Sequence, residues 1–174
     1  MNLRFPVVFA LIIAAAGVAM ATKKSAGTNE IERGRYLTTV TGCNDCHSPK
    51  LPHSMQPDPA RLLSGRPDGT APPGKPQKMG EISASADLTA WWGPWGVSYA
   101  ANLTPDPATG IGTRYTEASF IKAMRTGKKP DGTEMMPPMP WPDFAQMSDA
   151  DLKAIWTYLR SLPPVKNNVK VSGS

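Results

Sequence analysis

Cys43-Asn44-Asp45-Cys46-His47 is the stretch on which the reading of this chain turns. It holds both cysteines of the 174-residue sequence, three positions apart, with a histidine directly after the second. Residues three apart share one face of a helix, so both thiols point to the same side and the next residue swings beneath whatever they grip. C-x-x-C-H is the spelling of a c-type haem attachment site, in which the thiols become thioethers and the imidazole becomes the proximal iron ligand. Three other chemistries share the cysteine spacing. A disulfide is open to an exported chain. A thioredoxin-like thiol pair needs a βαβ surround, and no alternating β-branched pattern flanks the motif. A zinc site wants four ligands, and only His53, in a proline-rich stretch, is at hand as a further one.

An export signal favours the haem reading. A short basic start (Arg4) precedes an apolar run from Phe5 to Ala21, which ends in Ala19-Met20-Ala21, a small-x-small sequence suited to signal peptidase. Its length of about 17 residues is at the lower limit for a spanning helix. Lys23 and Lys24 would have to cross the membrane against the positive-inside preference. The reading is therefore a signal peptide over 1–21, cleaved after Ala21, and a flexible leader over 22–27. The alternative is a retained anchor, the one case in which the protein would sit on a membrane. Haem is attached to c-type cytochromes outside the cytoplasm, so an export signal is what the motif requires, and the expected location is periplasmic.

Net charge is +5, or +4 without residues 1–21, which carry one arginine and no acid. Nothing in that balance calls for nucleic acid. Lys122, Arg125, Lys128 and Lys129 form a local basic cluster, read either as a helix C-terminus favoured by its dipole or as a docking patch for an acidic redox partner. About 150 mature residues make one domain. With four Phe, four Tyr, five Trp and 19 Pro, the chain has little to build a core from, and a haem would supply apolar volume. One C-x-x-C-H means one haem.

Thr28 or Asn29 is placed to cap a first helix through Glu30–Leu37, in which Gly34 marks a close approach by another element. Residues 48–100 read as a long irregular loop with nine of the prolines, six glycines and the cluster Trp91-Trp92-Gly93-Pro94-Trp95, placed against a haem edge or in the loop's own core. Thr116 caps a helix with Phe120, Ile121 and Met124 on its apolar face, ending at Gly127. Ser148 starts the last helix, with Asp151 in the capping-box position and Leu152, Ile155, Trp156 and Leu159 at i, i+3, i+4 and i+7. Pro163-Pro164 stops it, and 166–174 read as a loose polar tail. Between these helices lies Met135-Met136-Pro137-Pro138-Met139-Pro140-Trp141-Pro142. A thioether is a soft neutral ligand that favours reduced iron. Met139, with proline on both sides, is the first choice for the sixth position, Met136 the second, and Met135 or no methionine the remaining alternatives.

From Gly34 to Val165 the chain resembles class I cytochromes c. More narrowly, it is similar to the haem domains in cytochrome subunits of bacterial membrane-bound alcohol and aldehyde dehydrogenases. The matching pieces are Gly34-Arg35-Tyr36-Leu37, the Cys43–His47 motif, Asn102-Leu103-Thr104-Pro105-Asp106 with Thr109-Gly110-Ile111-Gly112, Phe120–Gly127, Pro138-Met139-Pro140-Trp141, and Ser148–Leu159. The resemblance implies an all-α, cytochrome c-like domain over 28–165, with first and last helices crossing at Gly34 against Trp156 or Tyr158. It also implies Met139 as axial ligand. Where the family has a Pro-Asn-Leu turn this chain has Ala101-Asn102-Leu103, and the Ala101 carbonyl is expected to accept the His47 N–H. Trp95 and Trp141 are placed against the haem. The implied function is transfer of single electrons through one His/Met-ligated haem c, with a dehydrogenase, another cytochrome or an oxidase as partner and no catalytic residues of the chain's own. The alternatives are a cytochrome subunit held on a dehydrogenase, or a sensor or small peroxidase should the sixth position stay open.

Overall fold

The computed structural model describes residues 27–71, 74 and 80–169. The expected signal peptide and all of the expected leader except Gly27 lie outside the described residues. Helix α1 covers 27–40 and is already helical at 27, so Thr28 and Asn29 lie within it, and it runs three residues past Leu37. Thr41 N–H closes on Leu37 O at 2.9 Å. Gly42, at φ 73°, then turns the chain into α2, Cys43–His47. A single 3₁₀ turn, Pro59–Arg61, follows.

The region expected to be irregular carries a sheet, so the domain is not all-α. Strands β1 (Ser83–Ala84), β2 (Ala90–Gly93) and β3 (Gly96–Tyr99) form an antiparallel meander in that order. Gly93 pairs with Gly96 across a two-residue Pro94-Trp95 loop, Trp92 with Val97, Trp91 with Ser98 and Ala90 with Tyr99. The signal was present: aromatic residues either side of a Gly-x-x-Gly turn spell a hairpin. It was obscured because both strands are partly buried on both faces, which removes the period-2 alternation.

Helix α3 (Glu117–Thr126) opens on Thr116, whose hydroxyl accepts the Ser119 N–H in a full capping box, and closes on Gly127 in the left-handed conformation at φ 68°. A short α4 (Trp141–Phe144) leads to α5 (Asp149–Ser161), capped by Ser148 Oγ accepting the Asp151 N–H at 3.1 Å. Leu37, Leu63, Ile111, Phe120, Ala154, Ile155, Trp156, Tyr158 and Leu159 make the core. The rings of Phe120 and Trp156 lie 5.4 Å apart at a 38° tilt, a favourable aromatic arrangement.

Helices α1 and α5 cross at Gly34. A Cβ there would collide with Ala154 O and lie 2.7 Å from Tyr158 Cβ, so the crossing partners are Ala154 and Tyr158 rather than Trp156. Arg33 with Asp151 (2.9 Å) and Glu30 with Lys153 (3.7 Å) span the same crossing at the surface. After α5 the chain does not hang loose as far as it is described. Val165 and Asn167 are tied back onto the loops around Ser64 and Thr104. Among the described residues, no helix is long and apolar enough to cross a membrane.

Candidate functional site

Helix α2 sets the geometry. Cys43 and Cys46 sit one turn apart on it, half-buried and not bonded to each other. Burial raises the pKa of both thiols. At Cys43 the Thr41 hydroxyl works against burial, and at Cys46 the Asp45 carboxylate adds to it while the Trp91 indole beside the sulfur opposes it. Five residues make a short helix, and Lys50 finishes it. Its ammonium donates to the carbonyls of Asn44 (3.1 Å), Asp45 (2.8 Å) and Ser48 (2.7 Å), supplying the partners that a helix C-terminus lacks. Burial lowers the Lys50 pKa, and the carboxylates of Asp87 and Asp45 work against that shift.

His47 lies at the end of α2 with its Nδ1 2.8 Å from Ala101 O. A carbonyl only accepts, so Nδ1 carries the proton and Nε2 keeps its lone pair for a metal. Burial pushes the His47 pKa down, against the Ala101 carbonyl, and favours the neutral imidazole that a metal requires. The backbone around this pair is itself held. Gly65 N–H donates to His47 O at 2.7 Å, Arg66 N–H to Ala100 O at 2.9 Å and Leu103 N–H to Leu63 O at 2.9 Å. Asn102, only 1% exposed, spends its side chain on Val165 O, Thr109 Oγ1 and both the N–H and hydroxyl of Thr104.

The methionine segment has a different support. Met135 N–H donates to Gly127 O at 2.7 Å, Met139 N–H to Met136 O at 3.2 Å and Trp141 N–H to Met139 O at 2.9 Å. The peptide bond between Pro137 and Pro138 is cis. Met135, Met136 and Met139 are all half-buried. Trp141 lies flat on Gly127, where a Cβ would collide with its indole. Trp95 sits in the β2–β3 loop with its ring over Gly93. Arg125 of the basic cluster donates to Ala145 O and pairs with Asp149, so it holds α3 to the start of α5. His53 is exposed, at φ 55°. Among the described residues, no three His, Cys, Asp or Glu side chains converge as a metal cluster.

Two thiols on one helical turn, an oriented imidazole and a small core framed by crossing terminal helices describe an electron-transfer domain built round a covalently held group. The chain belongs to the cytochrome c family, whose model matches residues 31–163. It is 34% identical to the cytochrome c subunit of a quinone-dependent alcohol dehydrogenase from Gluconobacter oxydans, over 78% of this chain and 22% of that one. It is 31% identical to a gluconate 2-dehydrogenase cytochrome c subunit from Pantoea cypripedii, over 91% and 29%. It is 35% identical to one of the subunits of nicotinate dehydrogenase from Pseudomonas putida, over 78% and 9%. The chain thus spans less than a third of the length of each of these relatives.

The family implies covalently bound haem c, and the residues present fit that group. The thiols are unbridged, Nε2 of His47 is available, and a thioether-rich segment is at hand. Two buried polar atoms, Trp95 Nε1 and Thr38 Oγ1, have no partner among the described residues. A group that brings acceptor oxygens supplies what a buried N–H lacks.

Proposed function

We propose that this chain is an exported cytochrome c carrying one haem on Cys43 and Cys46, ligated by His47 and Met139, and passing single electrons between redox proteins. The observation that carries the proposal is the His47 Nδ1–Ala101 O contact at 2.8 Å, directly after two free thiols on one turn. A haem bound here would supply a one-electron iron couple. The polypeptide does the rest. Helix α2 aligns the thiols and aims His47, and Ala101 O holds the imidazole in one tautomer and raises its basicity. Met139 presents a neutral thioether, which favours the reduced metal and raises the potential.

The relatives named as dehydrogenase cytochrome subunits support an electron-accepting place beside a dehydrogenase, and that is the partner class proposed here. The visible spectrum of the oxidised protein tests the ligand set. A weak red band reports methionine on the iron, and Met139→Ala abolishes it; a band that survives Met139→Ala but vanishes in Met136→Ala assigns the ligand to Met136 instead. The intact mass of the protein from periplasmic extract, with one haem and a new N-terminus at Thr22, checks the stoichiometry and the cleavage together.

A further inference from the structure

We propose that Ser98 is a positioning residue for the axial methionine: its hydroxyl, fixed on β3, latches the methionine segment at the Pro137 carbonyl and sets how readily Met139 yields its place on the metal. This rests on Met139 being the axial ligand.

Met135 N–H on Gly127 O holds the start of the segment, and between 136 and 140 there is little else. Its prolines at 137, 138 and 140 have no N–H to donate. The bonds of Met139 N–H and Trp141 N–H stay within the segment and its junction with α4, and Pro140 O is taken by Asp143 and Phe144 of α4. Among the described residues, one hydrogen bond reaches 136–140 from a distant part of the chain. It is donated by Ser98 Oγ to Pro137 O at 2.6 Å, across 39 positions of sequence.

The donor is well placed to act as a fixed point. Ser98 is 6% exposed and sits opposite Trp91 in the β2–β3 ladder. Trp91 donates its indole N–H to Leu88 O at 2.8 Å. Beyond β3, Ala100 N–H donates to Thr89 O and Ala100 O accepts the Arg66 N–H, both at 2.9 Å, while the Arg66 guanidinium lies 5.1 Å from the centre of the Tyr99 ring. One cross-strand pair therefore joins the Leu88 turn at one side to the methionine segment at the other. The hairpin is a brace between them. A strand does not itself need a hydroxyl at this position, since β-branched and aromatic residues suit it better than serine.

The test is competition by imidazole for the ferric iron in the haem-loaded protein, read in the visible spectrum for wild type, Ser98→Ala, Ser98→Thr and Met139→Ala. The expected result is a red methionine band in wild type that Met139→Ala lacks, and imidazole binding tightened about three- to tenfold in Ser98→Ala, the size of one lost hydrogen bond. Ser98→Thr keeps a hydroxyl and binds imidazole as wild type does. A role in packing alone would lower the denaturation midpoint without moving the imidazole affinity. Equal affinity in wild type and Ser98→Ala, with the band lost in Met139→Ala, overturns the latch and leaves the ligand standing. Tighter binding in both serine variants also overturns it, because the hydroxyl is then not the cause. A red band that persists in Met139→Ala overturns the ligand assignment and the latch with it.

Discussion

At Gly34 there is room for a hydrogen and nothing larger, because the obstacle is backbone: Ala154 O and C, with the Tyr158 Cβ behind. A flexible side chain would move aside, but a helix carbonyl takes the whole of α5 with it. Gly34→Ala is expected to cost about 3 kcal/mol, at the upper end for overpacking, read as a lower urea midpoint of the haem-loaded protein. Lys50 works through the opposite means, by filling a need. Lys50→Met keeps the length of the side chain and removes three donors from the end of α2. It is expected to cost about 1–2 kcal/mol by the same measurement. Gly34 was legible in the sequence as a helical glycine that needed a reason, though its partner Ala154 was not. Lys50 was not legible at all. A single lysine three residues past a motif forms no pattern, and its role exists only because the chain leaves α2 extended at Ser48 and the side chain returns to the carbonyls of Asn44, Asp45 and Ser48.

Helices α3 and α5 were readable almost to their ends, since each carries its own start and stop in the local chain: Thr116 with Ser119, Gly127, and Ser148 before Asp151. The hairpin and the C-terminal strap were not, because their partners are remote. Asn167 is the clearest case. Its side chain donates to Ser64 O at 2.6 Å and Arg66 O at 2.8 Å and accepts the Asp68 N–H at 2.9 Å, while its own N–H goes to Thr109 Oγ1 at 3.0 Å. It thereby joins the loop that bonds His47 O to the turn that follows Ala101. Asn167→Ala leaves two carbonyls and an N–H without their partner and is expected to lower stability by about 2–3 kcal/mol, measured by denaturant unfolding. The candidate site divides along the same line. Cys43, Cys46 and His47 lie within one five-residue stretch, so their spacing could be read directly, whereas Ser98 meets the methionine segment only through tertiary packing.

For the molecule as a whole, acid is the weak side. The Thr109 hydroxyl, with the N–H groups of Thr109 and Ala108, holds the Asp106 carboxyl below the usual carboxylate range. Thr133 does the same for Asp131, and Arg61 with the Ala60 N–H for Asp58. A carboxylate whose pKa is lower folded than unfolded stabilises the fold above its unfolded pKa of about 4, and that contribution is lost as pH falls through the folded value. The melting temperature should therefore fall as pH drops below about 4. Asp106→Asn keeps a side-chain oxygen without the titration, and is expected to be less stable at neutral pH and to show a shallower acid limb. A limb of unchanged slope would remove Asp106 as a contributor.

The strap has a consequence in time. The bond from Asn167 to Ser64 joins residues 103 positions apart, near the far end of the described chain. A chain emerging from its N-terminus presents both thiols long before the residue that closes the loop behind His47 is available. Contacts of such long separation also form late in folding, because loop closure must come first. Helix α2 thus passes through an interval in which its sulfurs are present and its enclosure is not. On the function proposed above, covalent loading of the chain would fall in that interval, ahead of the seal that Asn167 makes.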